Sequence, residues 1–410
     1  MMKHSLLLFS CLLCASLLAE ETFPIMAWGW LGGARERQND VAFYEEMKEC
    51  GFSIAGFATT DGQIEAAGKA GLQVLYSDNK AMSNRDWKNP DVEQWRKDIA
   101  PVVAKYKDNP TVLGYYVKDE PETAELDGLA QMGALLMEMA PNKLPYMNLF
   151  SNSTQPYHYE PLTYEEYTRK AYESPYPACG FDQYNFYASG YIRTTMHSCM
   201  EIHRKAALAA NKEWWYCVLG IQHRYYATPN LVNMAYQVFS GLAYGAKGIS
   251  WFTYLPSDRP GWHNAPLDPF FNRTQVWYDM RLVNRTVQNY AHVLNHLRSD
   301  RVYHFGSTKP ETDERVPGPD KDSLIQTMGG SGNWLVGEFT HEEDGSRWVI
   351  IVNKNLEEPV ECVPVWRNPS AKARVHAQGE KYEIDFNRKP ADSNIIQPGW
   401  GVLLHVTFDD

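Results

Sequence analysis

Apolar residues along the chain fall into short runs, separated by stretches in which they recur at helical spacing. The first run is Phe23–Trp30 (FPIMAWGW), and an amphipathic helix is predicted near Val41–Cys50. The alternation then repeats. Runs at Ser53–Ala58, Leu72–Asp78, Thr111–Pro121 and Leu144–Phe150 are separated by predicted helices near Gln63–Ala70, Val92–Tyr106 and Ala124–Met139. A helix at Tyr164–Tyr172 leads to the run Ala178–Phe186, one at Thr194–Ala210 to Glu213–Gln222, and one at Asn230–Tyr244 to Gly248–Pro256. A long helix over Val276–Arg298 closes the series. Strands alternating with helices make βα units and a parallel sheet. Eight such units are what a (β/α)8 (TIM) barrel needs, and residues 20–300 are assigned to it. A doubly wound open sheet competes, but needs no eighth unit.

The pattern changes after Arg301. Asn333–Asn353 reads as two strands joined at Glu343-Asp344-Gly345, and Val360–Val365 and Gly401–Val406 also suit strands. Residues 301–410 are therefore predicted to form a C-terminal antiparallel β-sandwich, with Pro310–Asp322 as a surface loop.

A length of 410 residues suits a barrel with a smaller module. The formal net charge is −11 and no Lys/Arg run appears, which argues against nucleic acid and anionic membrane surfaces as partners. Lys3 and His4 followed by the apolar stretch Ser5–Leu18 read as a signal peptide, residues 1–19, so the mature protein is expected to be exported. No later segment is apolar for long enough to span a membrane. Cys50, Cys179, Cys199, Cys217 and Cys362 are spaced irregularly, without a metal-ligand pattern. They are predicted to be mostly buried small hydrophobes, with one or two disulfides open. No metal or other cofactor is expected. Asn152, Asn272 and Asn284 lie in N-x-S/T sequons, which matter only in a eukaryotic host.

In a (β/α)8 barrel the chemistry gathers at the carboxyl ends of the strands. Those ends carry Trp28 and Trp30, Asp61, Asp78, Lys118-Asp119-Glu120, Asn148, Asp182-Gln183-Tyr184-Asn185, Gln222-His223-Arg224, and Trp251 with Tyr254. Carboxylates and amides bind hydroxyls and indoles stack on sugar faces, so the ring reads as a glycan site with an oligosaccharide or polysaccharide as partner. Trp251 is expected to form its floor. The sharpest motif is Gly114–Pro121 (GYYVKDEP), an apolar strand that stops at two adjacent acids and a proline. Two acids at a buried strand end desolvate and repel each other, which raises the pKa of one of them. A raised carboxyl is what a general acid needs to protonate a glycosidic oxygen near neutral pH. The plainer alternative is that Asp119 or Glu122 caps the following helix.

These residues resemble the large clan of (β/α)8 glycosidases that includes the family 42 β-galactosidases. There the fourth strand ends in Asn-Glu and the Glu is the acid/base; Glu120 matches it, with Asp119 in place of the Asn. The stretch Ala235–Tyr254 also resembles the family 42 helix leading into an aromatic-rich last strand, and the C-terminal strands ending at PGWGVLLHV resemble the β-domain often appended to such barrels. One departure stands out. The clan's nucleophilic Glu ends the seventh strand, where this chain has Gln222, and an amide cannot form the glycosyl ester. The adjacent Asp-Glu pair is also similar to that of the family 20 and family 123 N-acetylhexosaminidases. That resemblance implies Glu120 as acid and Asp119 orienting the substrate's own 2-acetamido nucleophile. FDQYNF, with Asp182, Tyr184 and Asn185, resembles the clan's sixth-strand pattern, and Tyr184 is expected to bond the acetamido nitrogen or a sugar hydroxyl. The alternatives are inversion, with Asp182 activating a water, and a glycan-binding barrel without catalysis.

Overall fold

Eight parallel strands close into a barrel in the order in which the chain makes them. They are β1 (Ile25–Ala27), β2 (Ile54–Ala58), β3 (Gln73–Ser77), β4 (Val112–Asp119), β5 (Leu144–Leu149), β6 (Ala178–Asp182), β7 (Glu213–Leu219) and β8 (Gly248–Phe252). β8 closes on β1, with Ile249 beside Ile25 and Trp251 beside Ala27. This computed structural model describes residues 21–257, 259–306, 317–330, 332–377, 382–385 and 394–409. The expected signal peptide and the first part of the expected 310–322 loop lie outside them.

Between the strands run α1 (Val41–Glu49), α2 (Asp61–Lys69), α3 (Val92–Tyr106), α4 (Leu126–Met139), α5 (Tyr164–Glu173), α6 (Met196–Ala210) and α7 (Leu231–Ala243), and α8 (Gln275–Asn289) follows β8. Several starts are written in the sequence. Thr60 and Thr163 build capping boxes, and Asp40, Asp91 and Asn230 accept from first-turn amides. The long helix expected to reach Arg298 instead stops at Asn289; a short turn of helix, Ala291–Leu294, follows, and the next strand begins at Leu297. The expected domain division at 300 therefore falls inside that strand.

Side chains alternate across each barrel strand. Met26, Trp28, Ile54, Leu75, Tyr116, Tyr146, Trp215 and Cys217 fill the interior. Ile25, Val74, Val117, Met147, Tyr216 and Trp251 point outward beneath the helices. Gly180 on β6 has to be glycine, because a Cβ there would strike the Tyr146 hydroxyl and the Asn148 amide oxygen.

The C-terminal residues form one six-stranded antiparallel sheet. Its strands are β9 (Leu297–Phe305), β10 (Trp334–His341), β11 (Arg347–Asn353), β12 (Ala371–Ala377), β13 (Tyr382–Asp385) and β14 (Gly401–Phe408), in the order β9-β10-β11-β14-β12-β13. One face, with Leu335, Phe339, Ile350 and Leu403, joins the core under the barrel helices and packs on α7. The other, with Val336, Val349, Ile351 and Leu404, meets Ile325, Cys362 and Ile396 from short two-stranded pairs. This is the expected C-terminal antiparallel β-sandwich, built as one broad sheet covered by a thin second layer. Among the described residues the cysteines, Cys50, Cys179, Cys199, Cys217 and Cys362, are all buried and unpaired. Asn284 is 1% exposed and bonded to Trp251 and the Cys50 carbonyl, so its sequon is closed to modification. Among the described residues there is no metal-binding group of side chains and no helix long and apolar enough to cross a membrane.

Candidate active site

β4 delivers the acids through a register shift. Its pairing with β5 slips between Tyr116 and Lys118, so that Asp119 lies beside Asn148. Lys118 then turns away and pairs with Glu125 at 2.9 Å. Glu120 adopts φ 45°, a left-handed conformation that a non-glycine residue holds at a cost of order 1–3 kcal/mol. Its N–H donates to the Asn148 carbonyl at 2.8 Å, and the next carbonyl, that of Pro121, accepts from the Tyr167 hydroxyl at 2.8 Å. Capping falls to Glu122, one of the two residues expected for it, which forms the capping box of the following turn with Glu125. Asp119 and Glu120 are therefore not helix caps.

Asn148 ties three strand ends together. Its Nδ2 donates to Asp119 Oδ1 at 3.2 Å and to Asp182 Oδ1 at 2.9 Å, which holds two carboxylates within reach of one amide. Its Oδ1 is buried without a hydrogen-bond partner. Asp119 and Glu120 touch solvent at the mouth, while protein crowds them on the remaining sides. Burial pushes Asp119 up to about 6, against the Asn148 bond and the Lys118 charge. Burial, and next the charge of Asp119, pushes Glu120 up to about 7. Asp182 is raised well above the usual carboxylate range by burial first, then by the charges of Glu120 and Asp119. Three acids in one low-dielectric spot cannot all ionise.

Aromatic side chains wall the spot. Trp30 is 42% exposed; its indole N–H donates to Ser77 Oγ at 3.3 Å and its ring meets Phe57 and Tyr116 edge-on. Trp28 lies deeper, 5% exposed, against Phe57, Tyr116 and Tyr146. On the other side Tyr184 stacks on Phe252, centroids 5.6 Å apart. Burial and the neighbouring Cys217, Asp182 and Asp119 push its phenol up. His223 is buried against Trp262, Phe252 and Tyr226, and its imidazole is pushed down to about 4, chiefly by burial.

Several expected residues lie elsewhere. Trp251 is fully buried on the outer face of β8, with its N–H on Asn284 Oδ1 at 2.8 Å. Phe252, one residue on, is the β8 side chain that faces Tyr184, because strand side chains alternate. We expect Trp251→Ala to lose about 3–5 kcal/mol of stability and to lower Tm by about 4–6 °C in a thermal melt. An unchanged Tm with weakened glycan affinity would return the indole to the site. Tyr254 is also fully buried, bonded to Trp277 and packed on Phe52. Asp78 caps the turn Asn79–Ser83, where Lys80 and Ala81 amides occupy its carboxylate. Asp61 pairs with Lys105 and Tyr106 on the outer surface. Gln183 and Asn185 are buried in bonds to Asn152, Thr195 and Tyr216.

Gln222 does not end the seventh strand. β7 stops at Leu219, and Gln222 lies in a two-residue strand paired with Trp262–His263. The mouth-side end of β7 presents Leu219, which packs with Ile221, Tyr226 and Ala265. Sequence reading missed Phe252, Trp262 and Ser77. Strict alternation from Ser250 would have found Phe252, but nothing local marks Trp262.

No protein-family model and no curated protein matches this chain. Solved structures do resemble it. A β-galactosidase from Bacillus circulans sp. alkalophilus superposes over 94% of this chain and 99% of its own, with a TM-score of 0.62 and 9% identity. A protein described as a glycoside hydrolase covers 94% and 93%, with a TM-score of 0.56 and 10% identity. A family 5 glycoside hydrolase from Bacteroides vulgatus covers 94% and 89%, with a TM-score of 0.54 and 10% identity. At such identities the likeness is one of fold, and it extends through the barrel and the C-terminal sheet together.

Proposed function

We propose that the chain is a glycoside hydrolase of β-linked glycans in which Glu120 is the general acid. The observation that carries this is the group of three acids at the ends of β4 and β6, each raised, beside the exposed indole of Trp30 and the half-buried ring of Tyr184. The fold it shares with solved glycoside hydrolases supports the same reading.

Within this reading the substrate's 2-acetamido group is the nucleophile. Leu219 and Gly220 at the end of β7 bring no carboxyl to make a glycosyl ester. Asp119 is the acid that ionises first, because the Asn148 bond and the Lys118 charge favour its carboxylate against burial. Its carboxylate accepts the acetamido N–H while the acetamido oxygen attacks the anomeric carbon. The glycosidic C–O bond breaks as the proton of Glu120 passes to the leaving oxygen. Water, giving its proton to the Glu120 carboxylate, then opens the cyclic intermediate and restores the acid. Inversion through Asp182 is the second route. The shared Asn148 bond holds Asp182 at the site, but its enclosed carboxyl resists the ionisation a base needs.

A panel of aryl glycosides with and without the 2-acetamido group tests this. Cleavage of the acetamido sugars alone is expected. Cleavage of plain hexosides alone removes substrate assistance and makes Asp182 the second carboxylate; binding without any cleavage leaves a glycan-binding barrel. The pH dependence follows from the same groups. Glu120 must hold its proton, so kcat/KM falls as pH rises through about 7. Asp119 must be charged, so kcat/KM falls as pH drops through about 6. A narrow optimum between the two is expected, and full activity far above pH 7 contradicts it.

A further inference from the structure

A row of tyrosines leads away from the acids, and beyond Tyr184, its first member, takes no part in the chemistry above. Tyr184 stands edge-on to Tyr226 at 5.6 Å, and Tyr226 lies 4.8 Å from Tyr225 and 5.2 Å from Tyr187. Tyr225 lies flat on Tyr187, centroids 5.4 Å apart and planes within 4°. The Arg193 guanidinium sits over Tyr187 at 5.3 Å and bonds its hydroxyl. Tyr225, though anchored in this way, is 55% exposed. The preceding residue, Arg224, is held at φ 53° with its N–H on the Gly261 carbonyl. Non-glycine strain of that kind marks a position the surrounding structure over-determines.

Beside the stack lies a cavity of about 410 Å³ lined by Tyr187, Tyr191, Gln222, Thr228 and Asn233. Gln222 Oε1 accepts from Thr228 and Asn264, so the hydrogen-bonding capacity left to its amide is chiefly that of a donor. A flat aromatic face with fixed polar groups beside it suits a pyranose, which has an apolar face and a rim of hydroxyls. A ring already immobilised on a neighbour loses little freedom when a ligand stacks on it.

We infer that Tyr225 and the adjoining cavity form a distal glycan subsite, so that the substrate is an extended chain rather than a single terminal sugar. Two ring-to-ring steps separate Tyr184 from Tyr225. That is the reach of a short oligosaccharide with one unit at Glu120 and another on the platform. The inference rests on the glycosidase reading.

The test uses the full chain and its Tyr225→Ala and Tyr225→Phe variants, with Tm as the fold control. Aryl monosaccharides and β-linked glucose, galactose and N-acetylglucosamine oligomers, dimer to hexamer, are assayed for cleavage and for binding by titration calorimetry. Wild-type kcat/KM should climb with chain length. Tyr225→Ala should lose about 3- to 10-fold on the longer oligomers and far less on the aryl sugar, and Tyr225→Phe should restore the longer ones. Cleavage by wild type with no dependence on length, or an equal loss on short and long substrates, overturns the subsite and leaves the glycosidase reading standing. Length-dependent binding without cleavage keeps the subsite and removes the hydrolase. Neither binding nor cleavage of any oligomer overturns both.

Discussion

Glu120→Gln is expected to slow glycan hydrolysis by about 10²- to 10⁴-fold while leaving the fold and glycan binding intact. The amide keeps the shape of the side chain and cannot give a proton to the leaving oxygen. The same change should also stabilise the protein. Glu120 is raised from 4.5 in the unfolded chain to about 7 in the folded one. A raised acid contributes stability that is complete below the unfolded value and is lost as pH rises through the folded value. The variant has no such group to lose. Its Tm advantage over wild type should be absent at acid pH, grow as pH rises through the interval between those two values, and level off above it. Steady-state rates and melts across that interval check both halves. Turnover at the wild-type rate by the folded variant would falsify the assignment of the acid.

Asp119→Asn is expected to lose about 10²-fold in turnover, with a smaller change in binding. If Asp119 carries the negative charge beside a developing oxazolinium ion, its interaction is strongest in the transition state. Asn keeps the hydrogen bond and removes the charge. The variant should also lower the Glu120 value, because the charge of Asp119 is one of the two causes that raise it. The alkaline limb of the pH–rate profile should therefore move to lower pH, which a purely structural role for Asp119 would not produce. A thiazoline mimic of the cyclised intermediate should inhibit wild type strongly and the variant weakly. Equal inhibition of both places the nucleophile elsewhere.

Much of this site is legible in the sequence. The run GYYVKDEP announces itself, because an apolar strand that stops at two acids and a proline has few other uses. What misled was reading residue type in place of strand parity. Trp251 looked like a sugar platform because it is an indole at the end of a strand, yet the pleat turns it outward to Asn284 and turns Phe252 toward Tyr184. Asp78 looked like a ligand-binding acid, but a short polar side chain before a helical turn more readily accepts that turn's amides. Gln222 was measured against a strand end three residues beyond the real one, since a run that is apolar through Ile221 hides where pairing stops.

The sequence by itself determined the order of strands and helices, the caps that start α2 and α5, and the identity of the acids on β4. Those depend on neighbours a few residues away, where periodicity and capping chemistry act. Only the tertiary structure decided that Asn148 and Asp182, 29 and 63 positions beyond Asp119 in the chain, would join it under one amide. Closing the barrel brings β4, β5 and β6 side by side, and a register shift next to Tyr116 sets which face Asp119 takes. The raised acids follow from that closure, because desolvation and mutual repulsion exist only once the strand ends are packed together.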